Sequence, residues 1–248
     1  MHFKAILAFA VAVIFAISPL FVRDFAGFGP NQFPIPQVDA PINPARYAFA
    51  IWGLIYLWLV ISMAFGLIRR PTHPEWQAMR PFLIVSMLLG ASWLPVAQLS
   101  AVWSTVLIWL MLIAALIALQ KAPEHDRWWV RAPLSIYAGW LSAASFVAVG
   151  LLLGGHGVLS PHNAAIAVLC AALGFTTIVQ IKMGRAPLYG ATVVWAFIAL
   201  VLANFETDPG VAALAGMGAL FLSALSFWAT YRRTFSTEII NVDDKIVN

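Results

Sequence analysis

Residues 47–68 read Tyr-Ala-Phe-Ala-Ile-Trp-Gly-Leu-Ile-Tyr-Leu-Trp-Leu-Val-Ile-Ser-Met-Ala-Phe-Gly-Leu-Ile. The run carries no charge and exceeds the roughly 20 apolar residues that a helix needs to cross a bilayer. The same test finds seven more runs: Ala5–Val22, Phe82–Gln98, Ala101–Gln120, Pro133–Leu153, Ala164–Met183, Leu188–Phe205 and Val211–Tyr231. Gly/Pro-bearing or charged segments separate them, except at Gln98–Ser100, where two short runs almost touch. Pro95 and the combined length of that pair argue for two helices, because one tilted helix needs far fewer residues.

Composition agrees with this count. Of 248 residues, 62% are hydrophobic and 10% charged, too little charge to cover a water-facing globule or to keep a chain disordered. The sequence therefore predicts an all-α integral membrane protein with eight transmembrane helices. Lys4 and the Ala16-Ile17-Ser18 stretch weakly resemble a signal peptide, but the apolar run continues to Val22, which favours a span. If the N-terminus is cytoplasmic, twelve of the fourteen Lys and Arg fall on inner segments. Only Arg23 and Arg46 fall outside, both in the first loop. That asymmetry predicts both termini inside and fits a multi-pass protein of the bacterial cytoplasmic (inner) membrane. The bases are scattered, and no nucleic-acid partner is expected; membrane lipids are.

Chemistry inside the spans is sparse. They hold no Asp, Glu, Arg or His, and Lys182 sits only at an end. Ion-coupled transport and intramembrane haem ligation by histidine both lack their usual residues. The single cysteine, Cys170, precludes an internal disulfide and is expected as a small buried core residue. His156 and His162 flank an outer loop, but without a third ligand they read as solvated histidines, so no metal site is assigned. No nucleophile–base set, carboxylate pair or phosphate loop occurs, so no catalytic residue is assigned and the chain is read as a non-enzyme.

Aromatic mass is abundant: eleven Trp, seventeen Phe and five Tyr. Trp76, Trp128, Trp129 and Tyr231 read as headgroup anchors. Others lie deeper. Phe49, Trp52 and Tyr56 share one helical face, as do Tyr137, Trp140 and Ala144, while Trp93 and Pro95 lie near the short turn after the third span. Any one ring reads equally well as packing. Three clusters on separate helices predict a ring-lined pocket for a flat, apolar ligand.

These residues resemble the TspO/translocator protein family of tryptophan-rich sensory proteins (TspO/MBR). In that family a proline-rich first loop leads into Phe-x-x-x-Trp-x-x-x-Tyr. Here Ala40-Pro-Ile-Asn-Pro44 precedes Phe49, Trp52 and Tyr56, with the Phe one residue nearer the Trp. The family's Asn-x-x-Trp-x-Pro is matched by Gly90-Ala-Ser-Trp93-Leu-Pro95, without the Asn. Its Tyr-x-x-Trp-x-x-x-Ala-x-x-x-Asn is matched by Tyr137, Trp140 and Ala144, with Ala148 in place of the last Asn. The resemblance covers residues 1–153 and divides the chain into a five-helix TspO-like bundle (1–153), three additional helices (154–233) and a polar cytoplasmic tail (234–248).

It implies a membrane receptor or binding protein for tetrapyrroles such as porphyrin or haem, or for sterol-like lipids, with no required cofactor. The implied ligand-binding residues are Phe49, Trp52, Tyr56, Trp93, Pro95, Tyr137, Trp140 and Ala144. It also implies a homodimer, for which Gly90 and Ala91 offer a close-packing surface. Leu225, Tyr231 and Arg233 formally fit a proposed cholesterol-contact pattern that matches many helix ends by chance. The last three helices leave a rival reading open, a structural or assembly subunit of a larger membrane complex.

Overall fold

The computed structural model describes residues 2–246 except 23–26, 30, 31 and 185, with side chains through residue 229. The anchor expected at Tyr231, the pattern ending at Arg233 and the side chains of the tail lie outside the described residues. Eight helices follow one another: α1 (Phe3–Ile17), α2 (Ile51–Arg69), α3 (Pro74–Leu99), α4 (Ala101–Lys121), α5 (Ala132–Gly155), α6 (Pro161–Lys182), α7 (Pro187–Asn204) and α8 (Pro209–Ile246). Each element, with the short turns that extend α1, α2 and α5, holds a stretch long and apolar enough to cross a membrane. Leu57, Ile61, Ile178, Ile181 and Leu220 are more than half exposed or nearly so, a surface suited to lipid rather than water.

α5 is the central post. It packs against α2, α4, α6 and α7, and almost three quarters of its span is buried, the highest share of any helix. Two hydroxyl pairs fasten it. Ser86 Oγ donates to the Met111 carbonyl at 2.8 Å, which leaves it to accept from Tyr137 Oη at 2.9 Å. Ser142 Oγ donates to the Ala138 carbonyl and likewise accepts from Tyr189 Oη at 2.8 Å, tying α5 to α7. Residues from all eight helices join one continuous core, so the first five helices and the last three share a single interior.

The connections gather at two ends. At one, the α2–α3 and α4–α5 turns meet through Arg70 and Asp126 at 2.9 Å. At the other, the long loop before α2 lies across the bundle. Gln32 Nε2 donates to the Ala97 carbonyl, Ile35 N to Gly155, and Ala45 N to Ala199, while Asn204 Nδ2 donates to Pro41. Phe33 rests directly on Gly155, where a side chain would collide with it.

Asp208 holds the start of α8 at this end. Its carboxylate accepts from Val211 N at 3.2 Å and from His162 Nδ1 at 2.6 Å. Burial would raise its pKa, but these bonds outweigh burial and hold it below the usual 3.8. The folded state therefore releases this proton more readily than the unfolded one. Its stabilisation is present above the ordinary carboxyl range and is lost as pH falls through the lowered value. Asp208→Ala should cost about 1 kcal/mol near neutrality, the usual worth of a helix N-cap. The difference should shrink as pH falls below the ordinary carboxyl range and through the lowered value. Thermal melts in detergent across that pH range check this.

Three sequence expectations need correction. α3 begins at Pro74, not Phe82, so Arg80 and Trp76 are helical and fully buried. Trp76 is no headgroup anchor: its ring fills the space beside Gly66, and its N–H donates to Asp126 at 2.8 Å. Trp128 and Trp129, by contrast, are exposed as anchors would be. Cys170 is exposed, because Val168 and Leu169 take the inward face of α6 and turn it outward. The α3–α4 break falls at Ser100, whose hydroxyl accepts from Trp103 N and caps α4. α3 runs through Pro95, a substitution that membrane helices tolerate.

Candidate functional site

Between α2 and α5, beneath the long loop, lies a cavity of about 470 Å³, within the roughly 300–1,000 Å³ typical of small-molecule sites. Its wall is built around Phe15 of α1. That ring meets Trp52, Tyr56 and Tyr137 edge-on, with centroids 6.1, 4.9 and 5.8 Å away. Trp52 and Tyr56, one helical turn apart on α2, stack at 5.2 Å. Trp140 of α5 presents its ring edgewise to Phe49 at 5.8 Å and to Trp52 at 6.3 Å. Gly90 makes this arrangement possible, since a Cβ there would stand 2.5 Å from Phe15 Cε2. The close contact offered by Gly90 is thus spent inside the chain.

Of the eight residues predicted to bind ligand, Phe49, Trp52, Tyr56, Trp93, Trp140 and Ala144 line this one cavity. Tyr137 stands behind the wall, fully buried and bonded to Ser86. Pro95 faces outward near the end of α3 and does not line the cavity. Phe15 and Phe146 were missed by sequence reading because neither shares a helical face with a second ring. Nor did any pattern mark Val168 and Leu169 of α6 or Phe197 of α7, which close the far side. The cavity therefore spans the first five helices and the later ones.

The chemistry of the lining is mostly apolar, with a few polar groups. Trp140 is 3% exposed, and its Nε1 hydrogen is buried without a hydrogen-bond partner. Trp93 Nε1, by contrast, is already used by the Ser104 carbonyl at 2.9 Å. Among the described lining residues Arg46 is the one that carries charge, beside the polar Asn43. Among the described residues the cavity thus offers flat rings and a cation.

His156 and His162 each have a partner of their own, the Leu152 carbonyl and Asp208. A different histidine set comes together at the opposite end: His73, Glu75 and His125, whose ligand atoms all lie within 4.8 Å of one another.

A model of TSPO-like proteins matches residues 5–228. The chain belongs to the TSPO-like family. The match runs through α6 and α7 into α8, well beyond the residue-153 limit of the motifs that first suggested the likeness. This TSPO-like protein is, at that level, a multi-pass membrane protein of a binding and sensory family. No curated protein and no solved structure matched it.

Proposed function

We propose that this TSPO-like protein binds a flat, apolar ligand carrying an anionic group, of the tetrapyrrole or sterol-acid type, in the aromatic cavity. The observation that carries this reading is a cavity walled by the rings of Phe15, Phe49, Trp52, Tyr56 and Trp140 that also includes Arg46. Stacking against Trp52 and Tyr56 supplies affinity, and Arg46 favours a carboxylate at one edge of the ligand. The positive-inside count supports placing the Arg70–Asp126 end on the cytoplasmic face of a bacterial inner membrane, with both termini on that face.

The test is a titration of purified protein in mild detergent with protoporphyrin IX, following tryptophan fluorescence. Saturable quenching is expected. Trp140→Phe, which shrinks the ring that meets Phe49 and Trp52 in the cavity wall, should weaken binding about tenfold, equal to about 1.4 kcal/mol. Trp52→Phe should weaken it by a similar factor. Linear quenching indifferent to both substitutions would refute ligand binding and favour the assembly-subunit reading instead, to be pursued by a gentle pull-down.

A further inference from the structure

The end of the molecule that carries Arg70 and Asp126 presents an arrangement that ring stacking does not explain. His73 occupies the cap position before α3, Glu75 lies in the first turn of that helix, and His125 sits in the α4–α5 turn. The two imidazole rings lie with centroids 4.8 Å apart, tilted by 51°. His125 Nε2 lies 3.2 Å from Asp126 Oδ2, and its Nδ1 lies 3.5 Å from Glu75 Oε2.

Asp126 is not free to move. Its carboxylate accepts from Arg70 Nε at 2.9 Å, Arg70 Nη2 at 3.2 Å and Trp76 Nε1 at 2.8 Å. An imidazole that donates Nε2–H to this fixed acceptor turns a lone pair at Nδ1 toward a second carboxylate. A metal cation placed between them would be held by both. His73 Nδ1 is buried and has no hydrogen-bond partner. His73, Glu75 and His125 thus each bring one possible ligand atom to within 4.8 Å of the others.

We propose that His73, Glu75 and His125 form a binding site for a divalent metal ion of the zinc class, with water in the fourth position. Two imidazoles and a carboxylate suit Zn²⁺ and, by the usual affinity order, Cu²⁺ and Ni²⁺; the absence of a thiolate disfavours Cu⁺. Tetrahedral ligands at about 2.0–2.1 Å from zinc lie roughly 3.3 Å apart. The Glu75–His125 pair is already close to that at 3.5 Å, and both side chains are about half exposed, so a small rotation closes the set. Asp126 acts as the positioning residue, fixing the tautomer and orientation of His125 as outer-sphere carboxylates commonly do. The bound ion joins the α2–α3 turn to the α4–α5 turn at the end remote from the long loop.

The experiment is calorimetric titration of Zn²⁺ into the chelator-treated full chain in detergent, after removal of any affinity tag, with Mg²⁺ as a control. One Zn²⁺ per chain should bind saturably, and Mg²⁺ should not. His73→Gln and His125→Asn should each weaken Zn²⁺ at least about tenfold, and Asp126→Asn should weaken it about tenfold. His156→Ala, on the other end, should leave the affinity unchanged. X-ray absorption at the zinc edge should show nitrogen and oxygen ligands with imidazole scattering, a signature that a merely structural role for these histidines would not produce. Absence of saturable Zn²⁺ binding to the folded parent overturns the proposal, as does binding indifferent to His73→Gln and His125→Asn. The result is independent of porphyrin binding, whose residues lie in the other half of the bundle.

Discussion

Tryptophan in place of Ala144 is expected to abolish protoporphyrin quenching, a loss on the order of 100-fold or about 2.7 kcal/mol. Ala144 lines the cavity on α5 one helical turn beyond Trp140, and its methyl leaves room that an indole would occupy. Because Ala144 lines a cavity of about 470 Å³, the added ring has room to enter, and the melting temperature should hold within a few degrees. That separates a blocked site from a misfolded one. A folded Ala144→Trp protein that still titrates like the parent would place the ligand elsewhere and sink the assignment of this cavity.

Arg80→Met should produce the largest loss of stability, about 3 kcal/mol, from leaving buried carbonyls unsatisfied at roughly 1 kcal/mol or more each. The Arg80 guanidinium is 1% exposed and donates to the carbonyls of Gly66, Arg70 and Pro71 at 2.8–2.9 Å. It thereby closes the C-terminal end of α2, where helical carbonyls lack partners, and its charge complements the negative end of the helix dipole. Methionine keeps much of the stem but removes every donor. Arg80→Lys should fall between the two, since an ammonium cannot reproduce the planar fork. Thermal unfolding followed by tryptophan fluorescence gives the ordering; an Arg80→Met protein as stable as the parent would show that water satisfies those carbonyls.

Arg80 also shows where the sequence misleads. A hydropathy window stops at the first charges, so Glu75 and Arg80 pushed the expected start of α3 to Phe82, although the helix begins at Pro74. Guanidinium burial depends on three backbone carbonyls brought near by the fold, and no local pattern announces them. The number of helices was legible because hydrocarbon solvent demands long uncharged runs, and eight such runs stand apart. The cavity was partly legible for a similar reason. Trp52 and Tyr56, or Trp140 and Ala144, repeat at helical spacing and must share a face. Phe15, Phe146 and the α6–α7 lining have no such repeat; they became neighbours only through tertiary packing around α5. His73 and His125 lie on different connections, which tertiary contacts such as Arg70–Asp126 and Trp76–Asp126 bring together.

The position of α5 bears on how the molecule is made. During synthesis this helix emerges ahead of α7, while Tyr189, the partner of Ser142, follows 47 residues later. Until then a helix destined to be enclosed borders lipid on the side that α7 will cover, with Gly139 leaving a groove shaped to the Tyr189 backbone. Biogenesis is therefore coupled across the whole chain. Ribosomal stalling between α5 and α7 would release a fragment whose central helix has lost its lateral seal, a natural substrate for membrane quality-control proteases.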